Sequence, residues 1–288
     1  MCINVKVLLI TNAYQEIVPD NFPYPCPNKN LWRSKKPPTN VHELRPGDVD
    51  VIAAIGDSLT AGNGGLAENM IEVYLNENRG VSWSIGGQGT WREFLTVPNL
   101  LKIMNPKLVG YSKGDGNTYS HNAQFNVAYS GAMDQDLIGQ ARRLITIMKN
   151  DKRVDYENHW KMLTVMIGTN DICSDYCHDK TQGPEMHKKN LIKLLDYLYK
   201  KMPKTFVNLV VTPYIPYYTE LIDPPFLQCF SMKLMTCSCL FGGFFQKKKL
   251  QMGIYMTKKF QKIQREIVES GRYDEIYKWI PTIILSWQ

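Results

Sequence analysis

Ser58 is the residue whose type and position in this sequence best suit covalent chemistry. It lies in the string AAIGDSLTAGNG, directly after a short apolar and β-branched run that is typical of a buried strand. A serine just past a strand end exposes its hydroxyl, and its own N–H can help to stabilise the negative oxygen that forms in acyl transfer. The pattern makes Ser58 a candidate nucleophile, and we interpret the adjacent Asp57 as a turn former.

Two further strings carry groups that could stabilise such an oxygen. Asn170 lies in IGTND at 167–171, and its side-chain amide is a hydrogen-bond donor. Gly131 lies in NVAYSGA at 126–132, where the missing side chain would let a substrate approach the backbone N–H. Taken alone, Gly131 could be a plain turn glycine, and Asn170 a loop residue that bonds its own backbone.

The elements that must position these residues alternate between strands and helices. Apolar runs predict strands and 3.6-residue spacing predicts helices, in this order: a strand from Asp48, a helix over 136–149, a strand over 162–167, a helix around 191–198, a strand over 206–211 and a helix over 252–270. Gly271 follows the last helix in the position of a C-terminal cap. The alternation implies a parallel sheet covered on both faces, with Ser58 and Asn170 at the rim where its strands end.

The strings IGDSLTAGNG, NVAYSGA and IGTND, in that order, resemble successive blocks of the SGNH (GDSL) hydrolase family. The resemblance implies a three-layer α/β/α fold around a central parallel sheet, of flavodoxin-like type. It also implies that Ser58 is the nucleophile, and that the Gly131 N–H and the Asn170 amide are the oxyanion donors. The Gly-x-Ser-x-Gly elbow of an α/β-hydrolase would need glycine where Thr60 stands, so that fold is disfavoured.

Longer strings within Pro37–Asp274 resemble the phospholipase B group of this family: SWSIGGQGTW, QARRLITIMKN, FVNLVV and IVESGRYD. This resemblance implies a serine esterase that cleaves acyl esters of phospholipid, lysophospholipid or acylglycerol through an acyl-Ser58 intermediate. It also implies membrane association, on the extracellular face of the plasma membrane or as a secreted protein. A carbohydrate deacetylase would use the same three blocks, and only the longer strings favour lipid.

The base that should activate Ser58 is missing from its expected place. The family supplies it as Asp-x-x-His near the C-terminus, but the last of the five histidines is His187 and the sequence ends IYKWIPTIILSWQ. The string Asp175-Tyr176-Cys177-His178 has the right spacing, yet it falls in the asparagine block, so we interpret it as coincidental. We interpret His42 as an arm residue and His121 as a polar-loop residue. His159 and His187 are interpreted as surface residues near element ends.

Two explanations and two functions follow from the missing base. We expect the chain to be an incomplete product without its last block, and the other explanation is a variant that has lost the base. The first functional hypothesis is the acyl-ester hydrolase, and the second is a catalytically silent lipid-binding or structural module. Loss of the base should lower turnover by several orders of magnitude, because triad members act as a unit.

Composition bounds the domains and partners. Residues 1–45 contain six prolines and no sustained period, which predicts an arm or linker before a hydrolase domain over 46–288, C-terminally incomplete.

The net charge of +7 includes one dense run of basic residues, Lys247–Lys249, which is too short for a nucleic-acid-binding stripe. We interpret that run as a solvated loop, with peripheral contact to an anionic lipid surface as the alternative. No apolar run is long enough to span a membrane, and no clear signal peptide is present.

The seven cysteines leave at least one unpaired within the chain. Cys173-x3-Cys177 and Cys237-x-Cys239 lack the two-residue gap typical of zinc knuckles, so we expect local disulfides in an oxidising compartment and no metal. The GGQG string at 86–89 has no strand-to-helix frame, so we expect no nucleotide cofactor.

Overall fold

Parallel strands form a single sheet in the computed structural model, which describes residues 15–26, 28–178, 182–216, 233–241, 246–273, 278–279 and 282–283. The sheet order is β1-β2-β3, and β4 and β5 both pair with β3. The strands are β1 Val49–Gly56, β2 Trp160–Met166, β3 Thr205–Val210, β4 Lys278–Trp279 and β5 Thr282–Ile283.

The helices fall between the strands and on either side of them. They are α1 Ser58–Ala61, α2 Met70–Leu75, α3 Val97–Met104, α4 Leu137–Asn150, α5 Pro184–Lys201, α6 Ser238–Phe241 and α7 Gln246–Glu269. A π-helical turn covers Asp171–Asp175, and short 3-10 turns cover Lys29–Leu31, Val41–Glu43, Pro46–Asp48, Arg79–Val81, His121–Ala123 and Asp134–Asp136. Among the residues described, no helix is both long and apolar enough to cross a bilayer.

The sheet separates two apolar cores because successive side chains of a strand point to opposite faces. Val51, Ala53 and Ile55 of β1 face a core shared with α4, α5 and α7. Ile52 and Ala54 face a second core that includes residues of α3. Both faces of β1 are therefore buried, as the unbroken apolar run predicted, and the expected α/β fold with a central parallel sheet between helices is confirmed.

The predicted elements are present, with shifts at their starts. The helix predicted around 191–198 begins earlier, at Pro184, because proline at the first helical position is preorganised for a helix. The last helix begins at Gln246 rather than at Met252, since its first turns are polar and do not follow the apolar period. Lys247–Lys249 therefore lie in a helix, and their interpretation as a loop was wrong. Gly271 follows it with φ +67°, which confirms the predicted cap.

The proline-rich arm contacts the body of the protein where it is described. The buried Trp160 indole donates to the Pro38 carbonyl at 2.9 Å, and the Arg92 guanidinium donates to the Phe22 carbonyl at 2.8 Å. Residues 1–14 lie outside the described part of the chain. The division of the chain at residue 45 stays a prediction.

Two disulfides join segments that are far apart in sequence. Cys173 pairs with Cys237 and Cys177 with Cys239, over separations of 64 and 62 residues. The expectation of local pairing was wrong, because the turn after Asn170 packs against α6 and brings the two cysteine clusters together. Cys26 is free and exposed, whereas Cys2 and Cys229 lie outside the described residues.

Leu144→Ala tests the core between the sheet and α4. Leu144 is fully buried, so the substitution should lower the free energy of unfolding by about 3 kcal/mol, measured by urea denaturation. Leu95→Ala is the control, because Leu95 is 64% exposed and its loss should change stability by less than about 0.5 kcal/mol. Equal effects of the two substitutions would contradict this packing.

Candidate active site

Ser58 is the first residue of α1, immediately after β1. Gly56 ends the strand with φ +155°, and a Cβ there would lie 2.5 Å from the Met166 carbonyl oxygen, so the tight exit requires glycine. Asp57 caps the helix by accepting the Leu59 N–H at 2.9 Å, which confirms its structural interpretation. Burial raises the pKa of Asp57 to about 7. The Ser58 side chain is half-buried, and its N–H has no partner within the helix.

A buried arginine holds the segment that leads to Gly131. Arg79 is fully buried, and its guanidinium donates to the carbonyls of Asn126 at 3.0 Å and Ala128 at 2.9 Å. Glu77 balances its charge at 2.6 Å and also accepts from the Ser130 hydroxyl at 3.0 Å. Sequence reasoning missed Arg79, because nothing in its local pattern separates a buried arginine from a surface one.

The same segment is tied to α1. The Asn126 side-chain amide donates to the Thr60 carbonyl at 3.0 Å, and backbone bonds link Ala54 of β1 to Phe125 and Val127. Gly131 lies at the exposed end of this segment with φ +79°. A Cβ at Gly131 would meet nothing within 4 Å, so its backbone faces open space that a substrate could enter.

Asn170 follows β2 and reaches across to the Gly131 segment. Its half-buried side-chain amide donates to the carbonyl of Ala132 at 2.9 Å, so it does not simply bond its own backbone. In the parallel register Gly56 pairs with Met166, so Ser58 and Asn170 leave neighbouring strands at the same edge of the sheet. The three predicted site residues therefore share one rim, and their catalytic roles stay predictions.

His187 contradicts its interpretation as a surface histidine. It is fully buried in the first turn of α5, which begins early enough to turn this position inward. Its Nδ1 lies 2.9 Å from Oδ2 of Asp134, its Nε2 lies 3.0 Å from Nε2 of Gln264, and its ring stacks on Phe260 at 3.9 Å. Both ring nitrogens are therefore occupied.

The hydrogen bonds of this pair define its protonation. The Gln264 Oε1 accepts from the Thr212 N–H, so the amide nitrogen faces His187 and can only donate to its Nε2. The imidazole is therefore neutral, and its Nδ1–H donates to Asp134. Burial lowers the pKa of His187 more than Asp134 raises it. Burial would raise the pKa of Asp134, but hydrogen bonds from His187 and Asn190 hold it below its ordinary value.

The pair is connected to the rim through Asp171. The Asp134 N–H donates to Oδ1 of Asp171 at 3.1 Å, and Asp171 directly follows Asn170. Burial and the charge of Asp134 raise the pKa of Asp171 well above its ordinary value. Sequence reasoning did not single out Asp134 or Asp171, since their proximity depends on the contact between two distant loops.

The remaining histidines offer no hydrogen bond to Ser58 in the described residues. His42 and His121 are exposed in 3-10 turns, and His159 lies at the start of β2, the end opposite to Asn170. His178 is exposed beside Cys177 and Cys239, whose sulfurs are joined in a disulfide and so are not metal-binding thiolates.

His187→Gln should change how stability depends on pH. Glutamine can keep a donor toward Asp134 and an acceptor toward Gln264, but it does not titrate. Because the pKa of His187 is lowered, its contribution to stability is present above its ordinary pKa of about 6.5 and is lost as the pH falls through the folded-state value. The free energy of unfolding of the unmodified chain should fall relative to the variant as the pH is lowered below about 6.5.

The measurement is urea denaturation across that pH range, with His121→Gln as the exposed control. Asp171 also titrates, but it is present in both proteins, so its contribution largely cancels in the difference. Parallel pH profiles for the unmodified chain and His187→Gln would show that this histidine is not held neutral by its surroundings.

Comparison with known proteins gives one family. The model of the GDSL-like lipase/acylhydrolase family matches residues 52–271. The chain is 39% identical over 254 residues to "Phospholipase B1, membrane-associated" of Mus musculus and 41% identical over 253 residues to that of Homo sapiens. These alignments cover 87% and 86% of this chain but 17% of each relative, so the chain spans only a small part of their length.

Among solved structures, the crystal structure of phospholipase A1 from Streptomyces albidoflavus NA297 matches with a TM-score of 0.32 and 14% identity. It covers 81% of this chain and 93% of that chain, and so weak a likeness assigns neither fold nor function. The family model, by contrast, covers most of the chain and includes all three predicted site residues. The chain belongs to the GDSL-like lipase/acylhydrolase family.

Proposed function

We propose that this protein is a serine esterase that hydrolyses acyl esters of lipids through an acyl-Ser58 intermediate. Family membership supports the reaction class, and two relatives carry the name phospholipase B1, which supports phospholipid or lysophospholipid as substrate. The observation that carries the proposal is the 2.9 Å hydrogen bond from the Asn170 amide to the carbonyl of Ala132, the residue after Gly131, at the edge of the sheet where β1 ends.

In the proposed reaction, Oγ of Ser58 attacks the ester carbonyl carbon and forms a tetrahedral intermediate. The N–H groups of Ser58 and Gly131 and the amide of Asn170 donate to its oxyanion. Asn170 uses one amide hydrogen on Ala132, which leaves the second for the oxyanion. The C–O bond then breaks, the alcohol leaves with a proton, and water attacks acyl-Ser58 to release the fatty acid and restore the hydroxyl.

The proton of Ser58 needs an acceptor. His187 cannot serve without losing its bond from Gln264, and Ser58 has no hydrogen bond to a histidine in the described part of the chain. We therefore propose that this chain by itself passes the proton to an external base and turns over slowly. Imidazole in solution should supply the missing function.

A second candidate is a catalytically silent lipid-binding module. The observation that favours it is the position of His187, the one fully buried histidine, whose ring nitrogens are both occupied by Asp134 and Gln264.

We further propose that the protein acts at the extracellular face of a membrane or after secretion. The two disulfides support an oxidising compartment, and the relatives' printed name supports membrane association.

Fluorophosphonate labelling tests the nucleophile. The reagent should modify Ser58 slowly, and added imidazole should raise the labelling rate at least tenfold, because a free base removes the hydroxyl proton. Ser58→Ala should abolish labelling, whereas Ser270→Ala, an exposed serine at the end of α7, should label like the unmodified chain. A folded chain that stays unlabelled even with imidazole would refute the esterase proposal and favour the silent module.

Asn170→Ala tests the oxyanion donor. Removing one such donor lowers acyl-transfer rates by roughly 100- to 1000-fold, so imidazole-assisted labelling of Ser58 should fall by that order. The urea midpoint should be measured beside it, because the substitution also removes the bond to Ala132. A labelling rate within threefold of the unmodified chain, in a folded variant, would assign Asn170 a purely structural role.

A further inference from the structure

The charge of the chain is concentrated on one helix. Helix α7 contains seven basic residues and two acidic residues, Glu266 and Glu269, so it carries +5 of the formal net charge of +7 of the chain. Helix α5 carries its lysines together with Glu185 and Asp196. The rest of the protein is therefore close to neutral, and α7 is its one strongly cationic element among the helices described.

The exposed side of α7 forms a continuous stripe. Lys248, Met252, Tyr255, Lys259 and Lys262 follow one another at intervals of four, three, four and three residues, which places them on one helix face. All five are exposed, whereas the opposite side of the helix is buried in the apolar cores. We call these five residues the α7 stripe.

The stripe combines free positive charge with exposed apolar surface. Met252 is 44% exposed and Tyr255 is 52% exposed, and both lie between the lysines. Lys248 has no carboxylate partner within the described residues, Lys259 lies over the Tyr255 ring at 5.5 Å, and Lys262 has only a long ion pair with Glu266 at 3.6 Å. Charges that no partner neutralises stay available to an external anion.

The start of the stripe shares a cavity with the turn that follows Asn170. A cavity of about 320 Å³ separates the start of α7 from the turn after Asn170, and Tyr176, Lys248, Lys249 and Met252 are among its lining residues. The disulfide between Cys177 and Cys239 lines the same cavity and fixes this corner. On the buried side of the same helix, the Phe260 ring stacks on His187.

We propose that the α7 stripe docks on the surface of a bilayer that contains anionic phospholipid and holds the rim of Ser58 and Asn170 next to the lipid. Lysines on a helix face are attracted by the negative surface potential of such a bilayer, while Met252 and Tyr255 enter the boundary between headgroups and acyl chains. Duplex nucleic acid would leave Met252 without an apolar partner, whereas a bilayer surface supplies one. The docking itself does not require hydrolysis.

Vesicle co-sedimentation of the full chain tests this surface. The protein should bind phosphatidylcholine vesicles that contain phosphatidylserine, and bind vesicles of phosphatidylcholine alone at least tenfold more weakly. Each lysine near an anionic surface contributes roughly fivefold in affinity, so the double variant Lys248→Glu/Lys259→Glu should lose about 25-fold or more. Both positions are exposed, so the variant should keep the unfolding midpoint of the unmodified chain.

The matched control is Lys189→Glu/Lys193→Glu, which makes the same charge change on exposed positions of α5. It should lower binding by less than threefold, and an equal loss in the two double variants would overturn the proposal in favour of net charge alone. Tighter binding to duplex DNA than to the anionic vesicles at the same salt concentration would overturn it in favour of a nucleic-acid surface. Labelling of Ser58 without vesicles remains a separate readout, so failure of docking and failure of the esterase proposal are distinguishable.

Discussion

The parallel pairing of β1 with β2 is the constraint on which the rest of this protein depends. Gly56 opposes Met166, so the chain leaves both strands at the same edge and delivers Ser58 and Asn170 to one rim. A shift of one residue would exchange the side chains that β1 sends to its two faces, and each core is packed around the present set. The two apolar cores therefore fix the register, and the register fixes the rim.

Polar groups then lock the loops that the sheet delivers. Arg79 donates hydrogen bonds to the segment before Gly131, and the Asn126 side chain binds that segment to α1. Asn170 binds the end of the segment to the loop after β2. Arg79 and Asn126 are fully buried, where an unmade hydrogen bond is costly, so their partners have little freedom to move. Donors held in this way suit a reaction that needs them oriented before charge develops.

Helix α7 connects the interior of the site with the outside of the protein. Its inner side carries Phe260 and Gln264, which enclose His187, and its outer side carries the α7 stripe. The same helix therefore explains why the buried histidine is not free to act as a base. It also explains how the rim could be presented to a lipid surface.

The α/β class, most of the elements near the site, the cap at Gly271 and the three strings that carry Ser58, Gly131 and Asn170 could be predicted from the sequence. These are local properties, because apolar period, turn chemistry and short motifs involve residues that are close in the chain. The burial of His187, the support that Arg79 gives to the Gly131 segment and the pairing of Cys173 with Cys237 became visible only in the folded chain. Those facts depend on contacts between segments tens of residues apart, where the energy comes from burial and pairing that no local pattern records.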